Sequence, residues 1–416
     1  MSEPTRAHWL NAERLRVYPR IIVALYVVVI LGFILATHDH PPSGGNPIGT
    51  DFVAFWVGAK LALAGHAVKV FDVDAFVAAQ RAFFPGLTGG GFGWFYPPTF
   101  LLVLLPFALL PYLGSLFVFL AGSVTAWWLT VRKAFGRPGA GWVAAAFPGL
   151  WICVFQGQNG LLTAALAGAS LLCLPRRPAL AGVFLGLLAI KPHLAVLFAV
   201  ALVAARAWRT LLVAAGTAVT FLGVSAVVLG GGTVAAWPAS LQVARIATEQ
   251  GRLPWDQMPS TFTMLRLIGT PVAWAYAGHA VVALAAATAV WLVWRRTPSA
   301  ALRGAVLMAA TFLANPYAFD YDLVWLALPI AWLARQGMEN GWRRGDREVL
   351  LAAWLLPAIA PTIALQHVQV APFVLGALVW ITLRRVLPAR PSTLAVEPTD
   401  GSARPARGWP GWSARA

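Results

Sequence analysis

A soluble chain of 416 residues would divide into two or three domains, but only 11% of these residues are charged and 59% are hydrophobic. Soluble domains carry about 25% charged residues, so this composition, with a mean hydropathy of +0.71, excludes a water-soluble globule and points to an all-α polytopic membrane protein. The formal net charge of +16 does not indicate nucleic acid, because the basic residues cluster between apolar runs, as in Arg132-Lys133, Arg176-Arg177, Arg295-Arg296 and Arg384-Arg385, the positive-inside pattern.

The first apolar run, Ile21 to Ala36, follows Arg14, Arg16 and Arg20 and precedes no small-x-small cleavage site. It reads as an uncleaved first helix running from inside to outside, with residues 1–19 cytoplasmic. A long first outer loop, 38–96, follows. In it Thr50-Asp51 marks the start of a helix ending near Gly65, and Asp72 or Asp74 the start of a second carrying Phe76, Val77, Phe83 and Phe84 on one side; both are expected in the outer interface. The stretch 97–131, broken by Pro106 and Pro111, counts as one crossing or two. Cleaner runs follow at 142–155, 160–174, 178–190, 193–205, 210–230, 271–294, 300–314, 320–334, 348–365 and 370–387. Either parsing predicts about twelve transmembrane helices in one domain, 20–387, with both termini cytoplasmic. Several runs fall short of the roughly 20 residues of a straight span, so broken or tilted helices around a protein-lined cavity are expected. A second outer loop spans 231–259, and the Pro/Ser/Arg-rich segment 388–416 reads as a disordered tail.

This orientation places four polar islands at the outer boundary: Asp51, the Gln156-Gly157-Gln158-Asn159 turn, Lys191-Pro192-His193, and the stretch from Asn315-Pro316-Tyr317 to Asp320-Tyr321-Asp322. Asp51 is either a general base for an acceptor hydroxyl or an ordinary helix N-cap. Lys191 interrupts an apolar helix and needs an anionic partner; a lipid phosphate would serve, with His193 as a second donor, and the alternative is a snorkelling side chain. The amides of Gln158 and Asn159 suit sugar hydroxyls, or form a plain turn. Asp320 and Asp322 are two apart and so face different directions on a helix. Tyr96-Pro97-Pro98 marks a helix start, whereas Asp72, Asp74, Glu249 and Asp256 read as caps and solvated charges. His38, His40, His66 and His279 have no metal-ligand spacing, and Cys153 and Cys173 lie in apolar stretches, so neither a metal site nor a disulfide framework is expected.

The chain lacks the glycine-rich phosphate loop ending in Gly-Lys-Ser/Thr, and an outward-facing site would not meet nucleotide-activated substrates. Group transfer there requires a lipid-linked donor. A polyprenyl phosphate is already a good leaving group, so one base on the acceptor side and cationic stabilisation on the phosphate side suffice. A glycosidase would need two carboxylates flanking the scissile bond.

In order and spacing, Asp51-Phe52, Gly65, Phe71-Asp72, Tyr96-Pro97-Pro98, Leu104-Leu105-Pro106, Leu110-Pro111, Gly157-Gln158-Asn159, Ala181-Gly182, Lys191-Pro192 and Asn315-Pro316-Tyr317 resemble glycosyltransferase family 87. This is the polyprenol-phosphate-mannose-dependent alpha-mannosyltransferase-like group of the C-type (GT-C) integral membrane glycosyltransferases. The resemblance runs from about residue 20 to 335. It implies a GT-C-type fold, a polyprenyl-phosphate-linked sugar donor (mannose-like, or another hexose or a pentose), a lipid or glycan acceptor of the cell envelope, and inversion at the anomeric carbon. It carries the family's first-loop aspartate onto Asp51 as general base and its phosphate-side lysine-proline onto Lys191-Pro192. Gln158, Asn159, Tyr96, Tyr317, Asp320 and Asp322 are then the candidate sugar and acceptor contacts. Phe319-Asp320-Tyr321-Asp322 departs from the histidine or tryptophan that many relatives carry after the Asn/Ser-Pro turn. No cofactor is implied. The protein would sit among the lipids of the cell (inner) membrane, with the site facing the periplasm or exterior.

The main rival is a secondary transporter or lipid-linked-sugar flippase. Transporters are commonly built from repeated halves with matched broken helices at the midplane, and no such repeat is visible here. A third class is a non-catalytic membrane partner of the same fold.

Overall fold

The computed structural model describes residues 12–38, 47–87, 91–136 and 140–387. The tail from Pro388, the first eleven residues and part of the first outer loop lie outside the described residues. All regular structure among the described residues is helical, as expected where a lipid environment requires each segment to satisfy its own backbone polar groups. In chain order the helices are α1 (Ala12–His38), α2 (Phe52–Leu63), α3 (Val73–Phe83), α4 (Pro98–Leu104), α5 (Tyr112–Phe135), α6 (Ala140–Ala145), α7 (Pro148–Gln156), α8 (Gly160–Cys173) and α9 (Pro178–Leu187). There follow α10 (Val196–Ala204), α11 (Trp208–Leu229), α12 (Gly231–Glu249), α13 (Thr261–Leu267), α14 (Val272–Arg296), α15 (Ala300–Leu313), α16 (Ala327–Asn340), α17 (Asp346–Ala364) and α18 (Ala371–Leu383).

Five helices are long and apolar enough to cross a membrane, within α1, α5, α11, α14 and α17, and seven shorter apolar helices of 10–17 residues accompany them. The short ones are where the sequence runs fell below a full span. Pro148 separates α6 from α7 inside the run 142–155, and the run 320–334 opens with a 3-10 turn, Asp320–Leu326, before α16. Within 97–131 only α5 is a long helix. The preceding α4 and the 3-10 turn Leu105–Leu109 pack along α2, where Trp56 Nε1 donates to the Leu110 carbonyl at 3.0 Å.

The two helices foreseen in the first outer loop differ in kind. In α3 Phe76 is buried and Phe83 is exposed, and Asp72 caps the helix by accepting the Ala75 N–H at 3.0 Å. In α2 every residue from Phe52 to Ala59 is buried. Its rings pack edge-on against Trp94, Tyr96 and Phe100, with Phe119 beside them, forming an aromatic cluster separate from the larger core built by α5, α7, α8, α10 and α14–α18.

The helices alternate between two ends of the molecule. α7 leads to the Gly157 turn and α8 returns; α9 leads to Lys191, and α10 returns after Pro192, which cannot continue the helix. One end therefore carries the polar islands and the other the arginine pairs. At the arginine end Asp346, 2% exposed, pairs with both Arg384 and Arg385 and accepts the Arg343 N–H at 2.8 Å, fastening the start of α17 to the end of α18.

α9 lies against α11 through Gly182 and Gly186, small residues four apart that let two helix backbones approach. A Cβ on Gly186 would stand 2.4 Å from the Thr217 Cβ and 2.7 Å from the Ala214 carbonyl oxygen. Gly186→Val should therefore push α9 off α11 and cost about 1–3 kcal/mol, seen as a lower unfolding midpoint in detergent. Gly216→Val, where nothing lies within 4 Å, is the control and should leave the midpoint near wild type.

Candidate active site

The turn at 157–160 brings the first islands together. Gly157 adopts φ +70°, and a Cβ there would meet the Phe52 Cβ at 2.8 Å and the Gly49 Cα at 3.2 Å; one on Gly160 would strike the Tyr321 carbonyl at 2.4 Å. Only glycine lets this turn press between the start of α2 and the 320s segment. The Asp51 N–H donates to the Gln156 carbonyl at 3.0 Å, and the single Tyr112 hydroxyl proton is shared between the Ile48 and Gly49 carbonyls, 2.7 and 2.9 Å from Oη, fixing the backbone that leads into Asp51.

Asp51 stands at the N-cap position of α2 but makes no side-chain cap hydrogen bond. Its Oδ2 instead accepts Gln158 Nε2 at 2.7 Å. Gln158 Oε1 accepts the Tyr96 hydroxyl at 3.3 Å and the Asn159 N–H at 3.2 Å. A carboxylate, an amide and a phenol thus form one chain across three segments. Burial pushes the Asp51 carboxyl above its ordinary value, and the Gln158 hydrogen bond partly offsets that. Asn159 is fully buried beside Tyr96, with both amide atoms lacking a well-formed hydrogen bond.

Lys191 is 3% exposed, so it does not snorkel, and its anionic partner is Asp322, itself fully buried. Nζ donates to Oδ1 at 2.6 Å and to Oδ2 at 2.7 Å, and lies 4.7 Å from the Tyr321 ring centroid and 5.9 Å from that of Tyr96. Asp322 also accepts the Phe319 N–H at 3.2 Å, closing the first turn of its 3-10 segment. Asp320 points elsewhere. Its Oδ1 accepts the Tyr321 N–H at 2.8 Å, the Gln156 amide lies beside it, and Asp51 is near enough for the two carboxylates to interact electrostatically.

Seven of the residues anticipated from sequence, Asp51, Tyr96, Gln158, Asn159, Lys191, Asp320 and Asp322, therefore form one connected neighbourhood. His193 flanks it, on the turn after Lys191, with Nε2 buried and unpartnered. Tyr317 joins a different group: its hydroxyl lies 3.1 Å from that of Tyr276, which donates to Glu249 Oε1 at 3.0 Å. Glu249 is thus no solvated loop charge but half-buried, with Arg245 at 3.5 Å. Tyr321, Tyr112 and Tyr276 were not anticipated. The Tyr112 hydroxyl meets carbonyls 63 and 64 positions away, that of Tyr276 meets Glu249 and Tyr317 at 27 and 41 positions, and the Tyr321 ring lies beside Lys191, 130 positions away, so no local pattern marks these contacts.

Among the described residues no group of three or more His, Cys, Asp or Glu side chains could hold a metal. What the neighbourhood offers is a half-buried carboxylate, hydrogen-bonding amides and phenols, and a buried ammonium–carboxylate pair. These suit deprotonation of a hydroxyl beside a polar substrate. The sequence model of glycosyltransferase family 87 matches residues 94–316, more than half of the chain, taking in Tyr96, the Gln158 turn, Lys191 and Tyr276 and stopping short of Asp320. No curated protein and no solved structure matches the chain.

Proposed function

Because the chain belongs to glycosyltransferase family 87 and is therefore a membrane glycosyltransferase, we propose that it transfers a mannose-like hexose or a pentose from a polyprenyl-phosphate donor to an envelope glycolipid or glycan, with inversion, on the outer face of the cell membrane. The observation that carries this reading is the Asp51 carboxylate, released from helix capping and held by Gln158 at 2.7 Å. In the proposed step the acceptor hydroxyl oxygen attacks the anomeric carbon and its proton passes to Asp51. The carbon–oxygen bond to phosphate breaks, and its electron pair leaves with the polyprenyl phosphate. Gln158 orients the base, and Gln158, Asn159, Tyr96 and Asp320 border the sugar and acceptor. Lys191 serves the phosphate: an ammonium has three donors, of which Asp322 takes two. His193 is its neighbour on that side, and Tyr317, through Tyr276 and Glu249, extends the acceptor side.

The test is to give the purified protein, in lipid nanodiscs with an envelope extract, either a polyprenyl-phosphate mannose or a nucleotide-activated mannose. Transfer from the polyprenyl donor alone is expected. Transfer from the nucleotide sugar, or from neither, overturns the donor assignment.

The orientation has its own test. Single cysteines replacing His66 and Asn340, both exposed, in a background without Cys153 and Cys173, should react with a membrane-impermeant maleimide in intact cells at His66 only, with Asn340 reacting after lysis. Labelling of Asn340 in intact cells with His66 reacting only after lysis would reverse the outward-facing site, and labelling of both in intact cells would overturn the assigned topology.

A further inference from the structure

At the arginine end, about the length of α8 from the Gln158 turn, three interhelical turns enclose a cleft of about 380 Å³ between α8 and α9, α10 and α11, and α14 and α15. Arg206, Arg209 and Arg303 line it together with Trp208 and Trp294, and no Asp or Glu does. Among the described residues none of the three guanidinium groups has a carboxylate within ion-pairing distance, unlike Arg384 and Arg385 at the same end.

Two of the arginines are held at a cost that turn formation alone does not require. Arg206 adopts φ +55°, directly after the end of α10. The Arg206 N–H to the Val203 carbonyl at 3.0 Å and the Ala207 N–H to the Leu202 carbonyl at 2.8 Å close the helix there. Glycine fills this left-handed position without strain and is the usual occupant; a strained long cationic side chain is the kind of feature retained at binding sites. Arg303 is stacked on Trp294, its guanidinium carbon 5.4 Å from the ring centroid, with Nη2 donating to the Trp294 carbonyl at 2.8 Å and Trp294 Nε1 donating back to the Arg303 carbonyl at 3.0 Å. This holds the guanidinium plane fixed while its Nε is buried without a partner. The first turn of α11, which carries Arg209, also opens into the cleft with no side-chain cap.

We propose that this cleft binds a phosphate group. Planar arginine forks match phosphate oxygens with paired, charge-assisted hydrogen bonds, and a cluster that no carboxylate among the described residues neutralises gains most from an external anion. The phosphate belongs either to an anionic lipid headgroup or to a free phosphate ester. Trp208, 52% exposed at the rim, is the residue type that settles at a headgroup boundary.

Arg206→Gly combined with Arg209→Gln removes two charges while relieving the left-handed strain, so this variant should unfold at or above the wild-type midpoint. Native mass spectrometry of the full-length protein in detergent carrying phosphatidylglycerol should show retained lipid. The variant should hold it roughly ten- to thirtyfold more weakly, from about one favourable interaction lost per arginine. Inorganic phosphate is titrated in parallel. Arginine-dependent binding of phosphatidylglycerol identifies a headgroup site, and arginine-dependent binding of inorganic phosphate without lipid preference identifies a site for a free phosphate. If neither ligand distinguishes wild type from the variant, or from Arg209→Gln alone should the double variant misfold, the proposal is overturned.

Discussion

Asp51→Asn should fold, keep its donor affinity and lose turnover by about 10²–10⁴, the usual worth of a positioned general base. The isosteric amide can still accept the Gln158 hydrogen bond through its oxygen, and no cap is lost because Asp51 does not cap α2. Any loss of rate then reports on proton acceptance. The pH profile supplies a second reading. Burial raises the carboxyl above its ordinary value, and the base works only when ionised, so the acid limb of kcat/KM should lie above the value of an ordinary aspartate. It should disappear in whatever residual activity the asparagine retains. The linkage sign follows. A carboxyl raised on folding favours its protonated form, so its contribution to stability is present at low pH and is lost as pH rises through the folded-state value. At neutral pH Asp51→Asn should therefore be at least as stable as wild type. Asp51→Glu should also be slow, because one added methylene displaces the oxygen from the acceptor. Near-normal turnover of a folded Asp51→Asn protein would remove Asp51 from the mechanism and pass the role to Asp320.

The second large effect is on the buried pair. Lys191→Met strands the fully buried Asp322 carboxylate, and Asp322→Leu strands the ammonium; each should destabilise by about 3–5 kcal/mol. The double variant Lys191→Met/Asp322→Leu leaves no uncompensated charge and should regain most of that loss, measured as the unfolding midpoint in detergent. Its kinetics separate two roles. If Lys191 serves the donor phosphate, the refolded double variant should show a raised KM for donor with acceptor KM little changed, and Lys191→Arg should keep partial activity through a fork in place of a point charge. Wild-type donor kinetics in the double variant would make the pair structural only.

What was legible in the sequence follows from local physics. Apolar run length gave the long helices, and the acids Asp72 and Asp74 preceding an amphipathic segment gave the start of α3 to within two residues, the cap being Asp72. The arginine pairs and polar islands gave the two ends. A lysine in an apolar run announced that an anion must be near, but which anion was not written locally, since Asp322 lies 131 positions away. The i, i+2 spacing of Asp320 and Asp322 told that they part company, and they do, one toward Gln156 and the other toward Lys191. That Asp51 would decline to cap its own helix could not be read, because its competing partner Gln158 is 107 positions distant. The burial of α2 was hidden likewise: a twelve-residue apolar helix looks the same whether lipid or aromatic side chains surround it.

The pairing of Lys191 with Asp322 also orders events during synthesis. The chain enters the bilayer from its N-terminus, so the ammonium must be lodged before its carboxylate exists. At about 5–20 residues per second, the separation of 131 positions corresponds to on the order of ten seconds. Throughout that interval α9 and α10 form a hairpin whose apex cannot be dry. The lysine must stay in the headgroup layer or within the insertion machinery, and its final burial waits on the arrival of the 320s segment. The same segment receives the Gly160 turn against the Tyr321 carbonyl. The nascent protein can thus hold Asp51 and Gln158 in place early, yet it becomes a complete site only once the 320s segment has been translated.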